Sequence, residues 1–155
     1  MIRVWRLCQA EHADAAFSGE GARRYGGRWS KKGQTVVYTA ATLSLAALEI
    51  LVHVDTDLLP NNFIAFAVDI PDESIAIESI TCNELAANWR EIYPPITCQA
   101  IGERWLAHGK SAVLAVPSAV IVEENNFLLN PAHPDFSTLT IHTPSAFQFD
   151  ARLWR

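Results

Sequence analysis

Apolar residues cluster along the chain in short runs typical of β-strands. Residues 63–70 are almost continuously apolar and are followed by Pro71 and Asp72, so we predict a core strand that ends at this turn. Other short runs predict strands in both halves of the chain, at residues 4–7, 74–80, 112–116, 119–122, 138–142 and 147–149. The second half is therefore expected to be rich in strands.

One longer apolar segment has the character of a helix. Residues 43–54 follow Thr42, a good N-cap residue, and contain only three polar side chains, Ser44, Glu49 and His53. A helix that is apolar on nearly every side is usually buried, so we expect this one in the core. Residues 83–90 and 99–108 also have helical character, and Gly109 is placed to end the latter.

Four glycines, at positions 19, 21, 26 and 27, lie within nine residues. Such density is typical of backbone that bends sharply or approaches a ligand closely. Immediately afterwards, residues 28–30 and 35–38 flank residues 31–34, and this pattern predicts a hairpin in which a glycine supplies the positive φ of the turn. We therefore expect Arg28 and Tyr38 to be neighbours.

The order of these elements indicates the fold class. Strands and helices do not alternate regularly, which favours an α+β fold with mixed or antiparallel sheets and flanking helices over a doubly wound fold. A chain of 155 residues, half of them apolar, is the size of a single domain, and we predict one domain over residues 1–155.

Charge and cysteine content indicate which binding partners and which cellular compartment to expect. The net charge is −5 and the basic residues are scattered, which argues against direct binding to nucleic acid. No apolar stretch approaches the roughly 20 residues of a membrane span, and the N-terminus does not resemble a secretion signal. The three cysteines lack a paired spacing, so we expect reduced thiols and a cytoplasmic protein.

Glu49 is the residue hardest to explain by packing alone. An ionised carboxylate is costly to bury, yet this one lies midway along an apolar helix. It could form a structural ion pair with Arg28, lie exposed at the edge of the helix, or serve a functional site. The sequence leaves the three alternatives open.

Arg28 and Tyr38 are candidates for the same site. The planar guanidinium of Arg28, after two glycines, could clamp a diphosphate, and the ring of Tyr38 could stack on a heteroaromatic base. A surface arginine and an ordinary core tyrosine are the alternatives. Ser118 lacks the flanking glycines of a hydrolase elbow, and the histidines at 53, 108, 133 and 142 lack metal-ligand spacing, so we expect no metal. His133 is expected to make a structural hydrogen bond in a loop.

Several segments together resemble the RES-domain family over nearly the whole chain. They are GEGARRYGGRWS at 19–30, VYTA at 37–40, LAALE at 45–49, VPSA at 116–119, NNFLLNPAHP at 125–134 and FDARLW at 149–154. The residues that give the family its name, an Arg, a Glu and a Ser, correspond to Arg28, Glu49 and Ser118. Residues 71–99 carry no matching motif.

The resemblance implies a fold like that of the diphtheria-type ADP-ribosyltransferases and a toxin that degrades NAD⁺, with an Xre-family helix-turn-helix antitoxin as its partner. NAD⁺ is then the substrate, and no cofactor is expected. The acceptor stays open between water, phosphate and a protein side chain. An ADP-ribosyltransferase that modifies a protein target and a non-enzymatic nucleotide-binding module are the alternatives.

The resemblance also suggests roles for individual residues. Glu49 would stabilise an oxocarbenium-like transition state, Arg28 would hold the diphosphate or the nicotinamide ribose, and Tyr38 would stack on the nicotinamide. Arg6, on the first predicted strand, is a second candidate for the phosphates. Ser118 would orient Glu49 or the ribose, with a simple turn-forming serine as the alternative.

Overall fold

The two longest strands form the centre of the structure, a computed structural model that describes residues 1–55 and 61–154. Strand β1 (Ile2–Gln9) and strand β3 (Phe63–Ile70) pair antiparallel along their full length, from Ile2↔Ile70 to Gln9↔Phe63. The strands predicted at residues 4–7 and 63–70 are both confirmed. The nearly continuous apolar character of β3 reflects burial on both of its faces, with Phe63 and Ala65 on one and Phe66, Val68 and Ile70 on the other.

Six further strands extend this pair into one sheet within the described residues. They are β2 (Val37–Ala40), β4 (Ile77–Ser79), β5 (Val113–Pro117), β6 (Asn125–Leu129), β7 (Thr140–Ile141) and β8 (Ser145–Phe147). The order is β4-β5-β6-β2-β1-β3-β7, with β8 also paired to β3. All pairings are antiparallel except β4 with β5, so the α+β fold with a mixed sheet is confirmed.

In the part of the chain that the structure describes, three α-helices accompany the sheet: α1 (Glu20–Tyr25), α2 (Leu43–Leu51) and α3 (Ile96–His108). The Thr42 side chain accepts a 3.0 Å hydrogen bond from the Leu45 N–H and caps α2 as predicted. Gly109 ends α3 in the left-handed region, with φ 61°, also as predicted. Short 3₁₀ helices cover Ala10–Ala15, Cys82–Glu84, Pro134–Thr138 and Ala151–Trp154.

The predicted hairpin around residues 31–34 is wrong. Residues 27–30 close on themselves through a 2.9 Å bond from the Gly27 N–H to the Ser30 carbonyl, and β2 pairs with β1 and β6 instead. A glycine does supply a positive φ at Gly33. Arg28 and Tyr38 are nevertheless neighbours, because the peptide that follows Arg28 donates from the Trp29 N–H to the Tyr38 hydroxyl.

Other boundaries differ from prediction for local reasons. Residues 119–122 are not a strand, because the Ser118 side chain accepts from the Val120 and Ile121 N–H groups and turns the chain. Residues 83–90 form no helix beyond the single turn Cys82–Glu84, which Thr81 closes with a capping box. The strands predicted at 74–80, 138–142 and 147–149 are shorter or shifted, as β4, β7 and β8.

The helix α2 is less buried than its composition predicts. Only Leu45 and Ala46 are buried, whereas Leu48 and Val52 are exposed on its outer side. The helix covers the sheet with one face and ends at Leu51, three residues earlier than predicted. In the described part of the chain, no helix is long and apolar enough to cross a membrane.

Candidate functional site

A cavity of about 740 Å³ opens where β1 and β2 separate. These two strands share a single register pair, Trp5↔Ala40, whereas β1 pairs with β3 along its whole length. Beyond that pair, the Arg6 side chain bridges the strands by donating a 3.0 Å bond from Nη1 to the Tyr38 carbonyl. The volume falls within the roughly 300–1,000 Å³ typical of small-molecule sites.

Four of the five candidate residues line this cavity. They are Arg6, Arg28, Tyr38 and Glu49, which come from β1, the turn after α1, β2 and α2. The fifth, Ser118, is fully buried and contacts Glu49 from the turn after β5. The fold therefore brings together residues separated by more than one hundred positions in the sequence.

Glu49 is held by a serine rather than by a cation. The Ser118 hydroxyl donates a 2.8 Å hydrogen bond to Oε1 of Glu49 and accepts from the Val120 and Ile121 N–H groups at 3.0 and 3.1 Å. A hydroxyl has one donor and two acceptor positions, so all are used. Ser118 thus forms the turn and orients the carboxylate at once, and the two alternatives for it are compatible.

The suggested ion pair between Glu49 and Arg28 does not form. The guanidinium of Arg28 donates from Nη1 to the Trp89 carbonyl at 2.7 Å and from Nη2 to the Glu91 carbonyl at 2.8 Å. Within the described residues Glu49 has no ion-pair partner, and it is only half-buried. A structural salt bridge therefore does not explain why helix α2 carries a glutamate at position 49.

Tyr38 supports the turn that carries Arg28. Its hydroxyl accepts from the Trp29 N–H at 3.2 Å and shares a 2.8 Å hydrogen bond with Ser30 Oγ. A Cβ at Gly27 would lie 2.5 Å from this hydroxyl, so glycine is required there for the close approach. Burial raises the pKa of Tyr38 to about 12, which keeps the phenol neutral at physiological pH.

Arg6 pairs with no carboxylate among the described residues. Its Nε is buried and has no hydrogen-bond partner, and in that part of the chain no acidic group lies within ion-pair distance. Burial lowers the pKa of this guanidinium, an effect that a bound anion would oppose. With Arg28 it makes the cavity wall more positive than a chain of net charge −5 would suggest.

Sequence reasoning missed several residues of this site. The Gln99 amide on α3 donates to the carbonyls of Gly27 and Ser30 at 3.2 and 3.4 Å, and it lines the cavity with His53, Ile92, Pro94 and Asn126. No local pattern marks Gln99, Ile92 or Pro94, because each reaches the cavity through tertiary packing. Asn126 lies in the quoted segment 125–134 but was not singled out, and His53 was considered only as a metal ligand. Residues 71–99, which matched no motif, include three of them, Ile92, Pro94 and Gln99.

His133 has the structural role that was predicted. Its Nδ1 accepts from the Asp135 N–H at 3.1 Å, and its Nε2 lies 3.0 Å from the Gly109 carbonyl. The neutral tautomer that carries its proton on Nε2 satisfies both contacts. The ring therefore links the loop after β6 to the end of α3.

Comparison with known proteins gives consistent matches over nearly the whole chain. The RES domain family matches residues 3–151. A protein of Yersinia enterocolitica named Toxin Res is 38% identical over 153 residues, 98% of this chain and 99% of that protein. A Sphingobium protein named Prs ADP-ribosylating toxin is 34% identical over 154 residues, covering 97% and 96%.

One solved structure shares the fold. A chain from the MbcT–MbcA toxin–antitoxin complex of M. tuberculosis superposes with a TM-score of 0.73 over 95% of this chain and 84% of its own. The two sequences are 18% identical, so this likeness concerns the fold alone.

Proposed function

Because this chain belongs to the RES-domain family, we propose that it is the toxin of a bacterial toxin–antitoxin pair and that it consumes NAD⁺. The observation that carries the proposal is the Ser118–Glu49 hydrogen bond beside a cavity lined by two arginines. Among the described residues this carboxylate has no cationic partner and the two arginines have no carboxylate partner. Such an arrangement suits a ligand that is anionic in one part and develops positive charge in another.

The proposed reaction breaks the bond between C1′ of the ribose and the nicotinamide nitrogen. The bonding electron pair leaves with the nicotinamide, and the sugar becomes oxocarbenium-like in the transition state. Glu49 stabilises that charge through the ribose, and Ser118 keeps the carboxylate in place. The acceptor then bonds to C1′ and loses its proton to solvent.

Arg6 and Arg28 are proposed to bind the phosphates. Among the described residues Arg6 has more unused donors than Arg28, since its Nε has no partner and only its Nη1 donates, whereas Arg28 already donates to two carbonyls. A guanidinium binds phosphate oxygens through paired donors, and a site shielded from water strengthens the contact. Tyr38 keeps its proposed stacking role through its ring, because its hydroxyl is committed to the turn.

The fold is proposed to be that of the ADP-ribosyltransferases. A relative named as an ADP-ribosylating toxin and a cavity at the separation of two strands both favour this assignment. The same relative favours a second candidate function, transfer of ADP-ribose to a protein side chain. The two functions share the first step and differ only in the acceptor.

Product analysis separates these functions. Pure protein would be incubated with NAD⁺, with and without inorganic phosphate, and the products identified by mass spectrometry. Free ADP-ribose indicates water as acceptor, and a phosphorylated ADP-ribose indicates phosphate. A labelled protein band, formed when the protein is added to lysate with labelled NAD⁺, indicates transfer to a protein. If intact NAD⁺ is recovered both with and without phosphate and no labelled band forms in lysate, a non-enzymatic nucleotide-binding module replaces the enzyme.

We also propose that the chain has a protein partner. A free enzyme that depletes NAD⁺ would arrest its own cell, so we propose an antitoxin of the Xre helix-turn-helix family that restrains it. Purification together with the product of the neighbouring gene tests the pairing directly.

A further inference from the structure

The cavity has one wall that is almost unsupported by packing. We define the rim segment as residues 91–95, of which Ile92 and Pro94 line the cavity. Ile92 is 89% exposed and Tyr93 85% exposed, so neither side chain contributes a buried contact that would hold the segment. Within the described residues, positions 92–94 make no hydrogen bond.

Arg28 provides the missing support on the cavity side. Its Nη1 donates to the carbonyl of Trp89, two residues before the segment, and its Nη2 donates to the carbonyl of Glu91, the first residue within it. The distances of 2.7 and 2.8 Å are those of charge-assisted bonds, which are stronger than neutral ones. The planar fork suits two carbonyls spaced along one chain, as a lysine ammonium would not.

The turn that carries Arg28 is, by contrast, held on every side. Gln99 donates to its carbonyls, the Tyr38 hydroxyl binds its Trp29 N–H, and Gly102 of α3 packs against the Trp29 carbonyl. A Cβ at Gly102 would lie 1.6 Å from that oxygen, so the helix and the turn are in direct backbone contact. Arg28 thus connects a rigid base to a weakly held rim.

We propose that Arg28 is the positioning residue of the rim segment, holding the wall formed by Ile92 and Pro94 against the cavity. This role goes beyond phosphate binding, because it acts through the backbone carbonyls of Trp89 and Glu91. The anchoring itself requires no particular substrate. Its consequence for substrate affinity rests on the proposed function, since a loosened wall would bind NAD⁺ less well.

Limited proteolysis tests the anchor without any nucleotide. A protease specific for glutamate cleaves the Glu91–Ile92 bond, whose carbonyl is the one that Arg28 binds, and Glu73 in an exposed turn is the internal reference. For Arg28→Lys we expect cleavage at Glu91 to increase about tenfold relative to Glu73, from the loss of one charge-assisted bond. Arg24→Lys, an exposed arginine on α1, is the matched control and should not change the ratio.

Two results of this proteolysis experiment would contradict the proposal. An unchanged ratio in both Arg28→Lys and Arg28→Gln contradicts the proposal. A variant that unfolds is cut equally at both sites, and this result also contradicts it, because Arg28 would then support the whole fold. Because no NAD⁺ is present, a failure here is separate from a failure of the proposed function.

A double-mutant cycle with Ile92→Ala tests the consequence for substrate. If Arg28 acts through the rim, Ile92→Ala should raise the KM for NAD⁺ in the wild-type background and have little further effect after Arg28→Lys. If Arg28 only contacts the phosphates, the two fold-changes in KM multiply. Multiplication together with an unchanged cleavage ratio would leave Arg28 as a substrate contact alone.

Discussion

The Ser118 hydroxyl donates a 2.8 Å hydrogen bond to Oε1 of Glu49, joining residues 69 positions apart. Ser118 is fully buried and Glu49 lines the cavity, so the bond runs from the core to the wall of the site. Because the same serine oxygen accepts two backbone N–H groups, its position is fixed, and with it that of the carboxylate.

We predict that Glu49→Gln abolishes toxicity and NAD⁺ loss while the Tm stays near that of the wild type. The amide keeps the shape and the Ser118 contact but removes the negative charge, and the loss of one such transition-state contact typically costs about 10²–10³ in rate. The NAD⁺ concentration over time and thermal unfolding of the same preparation check this. Glu73→Gln is the control, and a stable, fully active Glu49→Gln protein would remove Glu49 from the site.

Ser118→Ala should affect both stability and activity. Two partly buried N–H groups, of Val120 and Ile121, lose their acceptor, which costs about 1–3 kcal/mol of folding free energy. Turnover per folded molecule should also fall, because the Glu49 carboxylate loses its only hydrogen bond among the described residues. Denaturant unfolding and kcat are the measurements. Normal turnover in a destabilised variant would reduce Ser118 to a turn former.

Tyr38 variants separate the ring from the hydroxyl. We expect Tyr38→Phe to retain more turnover than Tyr38→Ala, because stacking depends on the ring. Tyr38→Phe should still lower the Tm, since the Trp29 N–H and Ser30 Oγ lose a partner. The reverse order of turnover would indicate a catalytic hydroxyl.

The same phenol gives a prediction for alkaline pH. Its pKa is raised by burial from 10.0 to about 12 in the folded protein, so the folded state holds this proton more tightly than the unfolded state. The corresponding stability is present below pH 10 and is lost as the pH rises through about 12. Unfolding free energy measured across this window should fall less in Tyr38→Phe than in the wild type.

The contribution of Asp69 to folding stability has the opposite pH dependence and is lost at acid pH. Arg3 donates to both of its oxygens at 2.8 and 2.9 Å and His142 Nε2 lies 2.6 Å from Oδ2, which hold the pKa of Asp69 well below its ordinary value of 3.8. The stability this provides is present above that value and is lost as the pH falls further. Acid unfolding of Asp69→Asn should show a shallower pH dependence below about pH 4 than that of the exposed control Asp14→Asn.

The proposed antitoxin should restrain this protein at the cavity. We expect the antitoxin to place a segment in the cavity with a carboxylate against an arginine, so that inhibition is competitive with NAD⁺. NAD⁺ binding would be measured for the free toxin and for the complex, and again after truncation of the antitoxin tail. If the complex binds NAD⁺ as tightly as the free toxin, blockage of the cavity is wrong.

An element of this fold could be predicted when neighbouring residues in the sequence were enough to cause it. The strand at Phe63–Ile70, the Thr42 cap and the Gly109 stop were all predicted, because each depends on neighbouring residues. Strand β6 was missed, because its two leading asparagines are poor strand formers and only pairing with β2 and β5 makes it a central strand. The hairpin prediction was wrong because β2 pairs with β1 and β6 and not with the segment that precedes it in the chain.

The sequence alone determined which residues were candidates for the site, through their types and their motif spacing. It identified Glu49, Arg28, Tyr38, Arg6 and Ser118, which the fold gathers around one cavity. Only the tertiary structure decided what each side chain contacts: Glu49 a serine instead of Arg28, Arg28 the carbonyls of a distant segment, and Arg6 no acid among the described residues. Hydrogen-bond partners are set by distances of about 3 Å between atoms far apart in the chain, and no pattern of neighbouring residues encodes them.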